Sequence, residues 1–328
     1  MNVFSADVAL AITRLGLLIL LGWFMARQGW VGAHARQPLM RMIIWVFFPA
    51  MIFSRVSGNA LIASGSQALL YLGAGFLLIV VGYAVAMAIG LLFKVPAGTA
   101  RRTFAFSAGV NNFGYLGIPV TAALFNDDVV GVLLVHNVGV EAAVWTVGVA
   151  MLSGESLRKG LKKLFQPMTV ALFVALAINF AGFGKSAPIV FASDLCHVIG
   201  DCAIPIGTLL TGIYLHEIIK DFRLAADAPV SFGVMAVRWL VMPLLVLAAV
   251  GYFVADDSLR KVMLVQAAMP CGIFTFLIVE MFKGEVLISL RCSVITMLCC
   301  PLVTPLWLTW VRAGSSWPDH PLLVGGAA

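Results

Sequence analysis

The stretch NNFGYLGIP, residues 111–119, interrupts a long apolar run with two asparagines, two glycines and a proline. Pro119 has no backbone N–H and pushes the preceding residue out of the helical region, while Gly114 and Gly117 loosen the chain just ahead of it. A membrane helix broken at mid-depth must satisfy its freed backbone groups, so such breaks persist only where they contact protein or a watery cavity. The stretch therefore predicts two half-helices joined by an extended link.

A second interruption, AAMPCG at residues 267–272, has the same character. If both segments break in the same way, the two links can cross near the middle of the membrane and face one substrate. Paired interruptions in corresponding hydrophobic segments are typical of a transporter's binding site. We therefore predict that the substrate-binding residues are Asn111, Asn112, Gly114, Gly117, Pro119, Pro270, Cys271 and Gly272. The alternative interpretation is a pair of proline kinks tolerated within a helix bundle, but packing alone gives no use for the two asparagines.

The composition is that of an integral membrane protein with very little soluble mass. Of 328 residues, 62% are hydrophobic and 11% are charged, and the mean hydropathy is +1.03. A soluble domain has about 25% charged residues. A spanning helix needs about 20 mostly apolar residues. On that criterion the chain has ten candidate spans, at 5–26, 38–54, 68–93, 101–124, 129–152, 168–183, 189–215, 232–254, 262–282 and 287–311.

The positive charges are unevenly divided between the two sides of the membrane. When the loops are assigned alternately to the two sides, thirteen Lys and Arg residues fall on one side and five on the other. The side with the excess is expected to be cytoplasmic. We therefore predict a multi-pass protein of the plasma (inner) membrane with both termini outside. The net charge of +6 is then a topology signal, and no nucleic-acid partner is expected.

The longest basic loop, residues 153–167, divides the chain into two sets of five spans, 1–152 and 168–328. An odd number of spans in each half places the halves in opposite orientations, which is the arrangement of inverted-topology repeats. The prolines have a matching spacing, because Pro49 and Pro119 are 70 residues apart and Pro205 and Pro270 are 65 apart. The predicted fold is therefore all-α, with ten transmembrane helices in two inverted five-helix repeats and broken crossover helices 4 and 9.

Acidic residues inside the predicted spans are candidates for ion coupling, because a charged side chain at mid-membrane costs about 2.5–3.5 kcal/mol on insertion scales. Glu141 in the fifth span is the first candidate, since it could carry a proton from one side to the other. His136 and Asn137 recur with it at helical spacing and extend the polar stripe. A satisfied hydrogen bond between helices is the alternative. Glu280 is the second candidate, and an ion pair with Lys283 explains it equally well.

The other polar residues in the spans have simpler interpretations. Arg238 and Arg291 lie near membrane ends, where long basic side chains can snorkel to the interface. None of the six cysteines forms a C-x-x-C pair, and the adjacent pair Cys299-Cys300 is a poor metal or disulfide signature. Asp194, His197 and Asp201 lie on one helical face near the predicted outer surface. This face could bind a cation, but a face exposed to solvent is the better interpretation. We expect no metal site and no cofactor beyond a coupling ion, H⁺ or Na⁺.

Residues 112–119, with an Asn, a Gly and a Pro in this order, resemble the fourth-helix signature of the auxin efflux carrier family. Residues 267–270 followed by Glu280 resemble that family's ninth helix, and Ile204-Pro205 with Gly212 resembles its seventh. The resemblance implies a scaffold of helices 1, 2, 6 and 7 and a transport domain of helices 3–5 and 8–10. It also implies elevator-type movement, a homodimer formed through the scaffold, and a fold related to the bile acid sodium symporters.

The predicted function is secondary active transport of small organic anions, coupled to protons or sodium. By resemblance, plant members export auxin and bacterial members are associated with malate and malonate, so both monocarboxylates and dicarboxylates are candidate substrates. The chain has no Walker-type phosphate loop and neither a G-x-S-x-G nor an H-E-x-x-H pattern, so we expect neither direct use of ATP nor enzymatic activity. An anion channel or a non-transporting membrane sensor of the same fold is the alternative function.

Overall fold

The computed structural model describes residues 2–62, 64–153, 167–220, 227–273 and 275–314. All regular structure in these ranges is helical, as the composition predicts. The helices of the first half are α1 Asn2–Arg27, α2 Ala33–Met42, α3 Phe48–Val56, α4 Gly65–Leu92, α5 Thr99–Gly109, α6 Gly117–Leu124, α7 Asp127–Ala143 and α8 Val149–Ser153. The predicted basic linker 153–167 lies outside the described residues except for its first and last positions.

The second half has a similar succession of long, short and interrupted helices. They are α9 Pro167–Phe180, α10 Ala187–Gly200, α11 Ala203–Lys220, α12 Ala228–Ala236, α13 Met242–Phe253, α14 Asp257–Ala267, α15 Thr275–Met281 and α16 Val286–Gly314. In the described ranges, three pairs of helices are joined by a π-helical turn without loss of direction: Ile43–Phe47 between α2 and α3, Val144–Gly148 between α7 and α8, and Val237–Val241 between α12 and α13.

Six helical segments in the described ranges are long and apolar enough to cross a membrane. They are Gln37–Val56, Gly65–Leu92, Asp127–Leu152, Ala187–His216, Ala228–Phe253 and Val286–Leu308. The prediction of an all-helical membrane protein is thereby confirmed. The other four predicted spans also coincide with helices, but two have short apolar stretches, Gly16–Arg27 and Pro167–Phe180, and two are interrupted. The interruptions fall between α5 and α6 and between α14 and α15.

Glycines allow α4 and α7 to pack in backbone contact. A Cβ added to Gly75 in α4 would overlap the carbonyl of His136, and one added to Gly139 in α7 would overlap the carbonyl of Leu72. The pairing is therefore reciprocal, with one glycine from each helix. Small residues at such interfaces let membrane helices approach closely, where van der Waals packing replaces the missing hydrophobic drive. The contact fixes α7, which carries Glu141, against α4.

Gly139→Ala should destabilise the protein by about 1–3 kcal/mol, because the added methyl group forces the two backbones apart. Gly73 is the matched control, since it lies in α4, is exposed and has no atom within 4 Å of the position that an added methyl group would occupy. Thermal unfolding of the purified protein followed by size-exclusion fluorescence would measure both variants. A Gly139→Ala protein that melts at the same temperature as Gly73→Ala would contradict the close packing of α4 on α7.

The helices pack in two groups. In one, α1 packs on α11 while α3 packs on α9 and α10. In the other, α4 packs on α5 and α7, and α16 packs on α5, α12 and α15. The groups touch where α1 meets α6 and α16 and where α3 meets α7. This arrangement places the two interrupted segments inside the second group, with the first group alongside.

Candidate functional site

The links between the half-helices pair with each other. Asn111 and Cys271 form an isolated antiparallel β-bridge. Its hydrogen bonds are donated by the Asn112 N–H to the Pro270 carbonyl (2.7 Å) and by the Gly272 N–H to the Val110 carbonyl (3.0 Å). Each link thereby satisfies backbone groups that the other leaves free, as a break at membrane depth requires. The structure thus brings the two interruptions to one point.

The first turn of α6 is satisfied by the link that precedes it. The Gly117 N–H donates to the Asn112 carbonyl (2.9 Å) and the Ile118 N–H donates to the Gly114 carbonyl (3.2 Å). Pro119 has no N–H to donate. The N–H groups that usually make a helix N-terminus an anion site are therefore engaged in part. The side-chain amide of Asn112 remains as a donor for a ligand.

Gln266, at the end of α14, joins the two links through its side chain. Its Oε1 and its backbone carbonyl both accept from Asn111 Nδ2, the latter at 3.0 Å, and its Nε2 donates to the Phe113 carbonyl at 3.4 Å. Asn137 Nδ2 donates to the same Phe113 carbonyl at 3.1 Å. A methyl group on Gly117 would lie 2.6 Å from Gln266 Nε2, so Gly117 provides the space for this amide. Gln266 was missed from sequence, although a lone amide in the apolar run before Pro270 was a signal.

Helix α16 satisfies the backbone of the second link. Three of its hydroxyl groups face the link, and their bonds are Cys271 N–H to Thr296 Oγ1 (3.0 Å), Ser293 Oγ to the Gly272 carbonyl (2.9 Å) and Thr304 Oγ1 to the Ala268 carbonyl (2.8 Å). Buried polar groups are costly unless they are paired in this way. The second link is consequently held from behind along its whole length.

A cavity of about 320 Å³ lies against the crossing, on the side that carries the basic loops. Its walls include Met40, Met168 and Met281, which are close in sequence to those loops. Its apolar lining includes Ile44, Phe48, Val144, Trp145, Ile273 and Ile278, and its wall also includes Asn111, Asn112, Gly114, Glu141, Gly272 and Thr275. The size is at the lower end of the range for small-molecule sites, about 300–1,000 Å³.

Three residues of this cavity have buried polar atoms without a hydrogen-bond partner in the described structure. These atoms are Asn111 Oδ1, Asn112 Nδ2 and Glu141 Oε2. A buried polar group left unpaired costs about 1–3 kcal/mol, so such groups are uncommon in folded proteins and need an explanation. One donor, one acceptor and one carboxyl group in the wall of a mostly apolar cavity can bind a small polar ligand with an organic body.

The remaining sequence-predicted residues lie outside the cavity wall. Gly117 and Pro119 are buried in the first turn of α6, and Pro270 and Cys271 are buried in the second link. His136 is fully buried with its Nδ1 at 3.4 Å from Asn137 Oδ1, and both residues lie behind the cavity. Glu280 is exposed at the end of α15. Of the coupling candidates, the structure places Glu141 alone in the cavity wall.

Residues 7–308 of the chain match the family described as membrane transport protein. The chain belongs to this family. The match confirms the resemblance to the auxin efflux carriers that residues 112–119 carry. An uncharacterized transporter from Methanothermobacter thermautotrophicus is 23% identical over 302 residues, which are 89% of this chain and 94% of that protein. Protein PIN-LIKES 1 of Arabidopsis thaliana is 29% identical over 148 residues, which are 41% of this chain and only 30% of the plant protein.

One basic residue of this membrane transport protein lies directly behind the second link. Arg238, in the π-helical turn Val237–Val241, is 2% exposed. Its guanidinium donates to the Met269 carbonyl from Nε (3.2 Å) and Nη2 (2.7 Å), and Nη2 is 3.5 Å from the Gln266 carbonyl. The prediction that Arg238 snorkels at a membrane end is therefore wrong, because the side chain points inward to the crossing.

The opposite end of this transport protein has a second, polar cavity of about 230 Å³. At its edge Arg55, which is 8% exposed, bridges Asp127 Oδ1 at 3.2 Å and Asp201 Oδ1 at 3.0 Å. His197 Nε2 lies 3.4 Å from the same Asp201 carboxylate. Across the residues the structure describes, no group of His, Cys, Asp and Glu is arranged to hold a metal ion. The bridge joins the ends of α3, α7 and α10.

Proposed function

We propose that the protein is a secondary active transporter of small organic anions, mono- or dicarboxylates such as malate, malonate or auxin-like acids. The observation that carries the proposal is the cavity at the crossing, with unpaired amide and carboxyl groups in a wall that is otherwise mostly apolar. The family match supports transport as the activity. In a chain of this family, the crossing is the place where a helix break can present polar groups at membrane depth.

The substrate carboxylate binds at the polar groups of the cavity wall. Asn112 Nδ2 donates to one carboxylate oxygen, because an ionised acceptor makes the stronger hydrogen bond. Asn111 Oδ1 accepts from a hydroxyl group or a protonated carboxyl group of the substrate. The organic part of the molecule lies against Phe48, Trp145 and Ile273, which suits either an aromatic ring or a short aliphatic chain.

Glu141 couples transport to a proton gradient. Its carboxyl group faces the same cavity as the two asparagines, and a negative charge there would repel an anionic substrate. Protonation of Glu141 removes that repulsion, so proton and anion binding are coupled through the shared site. Sodium is the alternative coupling ion, and backbone carbonyls of helix breaks can coordinate it.

Alternating access requires that the cavity open to the two sides in turn. The proposed architecture is ten helices in two inverted repeats, with a transport domain of helices 3–5 and 8–10 moving as an elevator against a scaffold of helices 1, 2, 6 and 7 that forms a homodimer. The antiparallel pairing of the links and the two packing groups support this division. The described conformation has its cavity on the side of the basic loops, so we assign it as inward-facing.

Flux into proteoliposomes tests the proposed function. Radiolabelled malate, malonate and indole-3-acetate are offered separately, each under an imposed proton gradient and then under a sodium gradient. We expect saturable uptake of at least one anion, driven by one of the two gradients. Ionic currents that do not saturate would support a channel instead, and saturable binding without uptake would support a sensor.

Arg55→Gln should favour the outward-facing conformation, because it removes the ion pair with Asp127 that joins the scaffold to the transport domain at the outer side. A partly exposed ion pair contributes up to about 1 kcal/mol, which corresponds to a shift of up to about fivefold in the conformational equilibrium. A cysteine at Ser57, which lines the outer cavity and is buried, reports the change through its rate of reaction with an impermeant maleimide. The background carries Cys196→Ser and Cys202→Ser.

Arg102→Gln is the control for this measurement, since Arg102 is exposed at the start of α5 among the basic loops. We expect faster labelling with Arg55→Gln and unchanged labelling with Arg102→Gln. Equal rates in the two variants would show that the Arg55 bridge does not hold the outer side closed.

A further inference from the structure

We infer that Arg238 is a specificity-determining positioning residue, whose charge makes the crossing select a substrate with a single negative charge. This inference rests on the proposed function and names the substrate class more narrowly. The favoured ligand is a monocarboxylate, or a dicarboxylate that carries one proton.

Among the described residues, the charge of Arg238 has no acidic counterpart nearby. Its guanidinium contacts two backbone carbonyls, those of Met269 and Gln266. In the parts of the chain that the structure describes, no carboxylate lies within ion-pair distance of it. Its electrostatic neighbour on the second link is the thiol of Cys271. A buried cation paired only with neutral groups leaves a net positive charge behind the crossing, and low-dielectric surroundings screen that charge weakly.

The guanidinium also offsets the negative end of the α14 dipole, because it contacts the Gln266 carbonyl in the last turn and the Met269 carbonyl just beyond it. Carbonyl groups of a last helical turn carry the negative end of the helix dipole, and here that end points to the crossing. Arg238 covers these carbonyls with a full positive charge. Without it, the second link would present partial negative charge to the substrate. Arg238 therefore makes the potential at the crossing more positive than the carbonyl groups alone would make it.

Arg238 is connected to the cavity wall by a short chain of hydrogen bonds. Its Nη2 reaches the Gln266 carbonyl, and the same carbonyl accepts from Asn111 Nδ2. Gln266 Oε1 accepts from Asn111 as well. Arg238 thus orients the amide of Asn111 through Gln266 and does not itself line the cavity. Its influence on a substrate is through the electrostatic field and through this orientation.

The charges at the crossing can be compared with those of the substrate. Arg238 contributes one positive charge, and Glu141 contributes one negative charge when ionised and none when protonated. A singly charged anion with protonated Glu141 makes the occupied site neutral. A doubly charged anion leaves one uncompensated negative charge in a buried site, which is strongly unfavourable. The site therefore favours the singly charged form.

Uptake of malonate and of monomethyl malonate by the full-length protein in proteoliposomes tests both parts of the inference. Monomethyl malonate keeps one charge from weakly acidic to neutral pH, whereas malonate gains a proton as the pH falls. The ratio of the two uptake rates cancels those effects of pH that change the transport of both anions equally. We expect monomethyl malonate to be taken up faster than malonate at neutral pH. On acidification, the uptake rate of malonate should rise relative to that of monomethyl malonate. The assignment of the substrate class would be overturned if malonate were preferred at neutral pH and the ratio of the two uptake rates did not change on acidification.

Variants of Arg238 test the role of the side chain. Arg238→Gln keeps donors for the Met269 carbonyl but removes the charge, and we expect it to raise KM for monomethyl malonate by at least about tenfold with little change in kcat. Arg238→Lys keeps the charge and should remain within about threefold of the wild type. The exposed Arg102→Gln should not change KM.

Each outcome has one meaning. A KM raised equally in Arg238→Gln and Arg238→Lys, or unchanged in both, would overturn the electrostatic role of Arg238, and thermal unfolding of each variant shows whether it is folded. If the wild-type protein transports neither malonate, monomethyl malonate, malate nor indole-3-acetate, the proposed function itself fails and the inference fails with it. If the wild-type protein transports one of these anions and Arg238→Gln has the same KM as the wild type, the inference about Arg238 fails and the proposed function stands.

Discussion

Asn112→Ala will lower the kcat/KM for anion uptake by roughly 10- to 100-fold while leaving the protein folded, because a hydrogen bond to a charged group contributes about 1.5–3 kcal/mol. The backbone of Asn112 forms both of its hydrogen bonds, to Pro270 and Gly117, and its side-chain Nδ2 is buried without a partner. Truncating the side chain therefore leaves the paired links intact. What is lost is the donor that the cavity presents to a carboxylate.

Initial rates of radiolabelled uptake across a range of substrate concentrations would measure this effect. Asn126→Ala is the matched control, since Asn126 is an exposed helix cap at the start of α7 whose Oδ1 accepts from the Val129 N–H. Loss of that cap costs about 1 kcal/mol of stability and should leave transport unchanged. Wild-type kinetics in Asn112→Ala would remove Asn112 from the binding site.

Glu141→Gln should abolish accumulation driven by a proton gradient and preserve exchange of labelled for unlabelled anion across the membrane. Glutamine resembles the protonated carboxyl group in size and in lacking charge, so the site still accepts an anion. It cannot release a proton, so the gradient no longer drives net uptake. Exchange does not depend on the gradient, and it therefore reports that the protein is intact.

Parallel measurements of uptake and exchange in proteoliposomes would test this prediction, with Glu280→Gln as the control. Glu280 is exposed and lies outside the cavity, so the same substitution there should affect neither process. If Glu141→Gln still concentrates the anion under a proton gradient, Glu141 is not the coupling group. If accumulation responds only to sodium in the wild type, proton coupling is excluded at once.

The breaks in the two interrupted segments could be predicted from sequence because their causes are local. A proline removes a donor, two glycines relax the chain, and a pair of asparagines has no place on an apolar helix without a purpose. These effects act within a few residues, so the breaks can be predicted from residues 111–119 and 267–272 alone. The structure places both segments at the crossing, with α5 ending at Gly109 and α14 at Ala267. The prediction that Pro119 pushes Ile118 out of the helical region is wrong, because α6 begins at Gly117 and includes both residues.

The partners of the links could not be predicted, because they depend on which way a side chain points after the helices pack. Gln266 and Arg238 are each a single polar residue in an apolar segment, and position along the span was the only guide to their role. For Arg238 that guide failed. Arg238 lies close to the end of its predicted span, which suggested that its side chain reaches the membrane–water interface. In the structure, the guanidinium instead points from the π-helical turn to the Met269 carbonyl. Glu141 was identified from sequence as a polar residue at membrane depth, and the structure places it in the cavity wall; its coupling role stays a prediction.

The three π-helical turns, at Ile43–Phe47, Val144–Gly148 and Val237–Val241, also affect how this chain can be redesigned. A π turn accommodates one more residue than an α-helical turn, so the helix beyond it is rotated relative to the helix before it. A helical wheel drawn through the whole span assigns the wrong residues to the lipid on one side of the turn. Chimeras between family members should therefore exchange complete spans, or be joined where both parents have the same turn, because a single-residue deletion there would rotate an entire half-span into the bilayer.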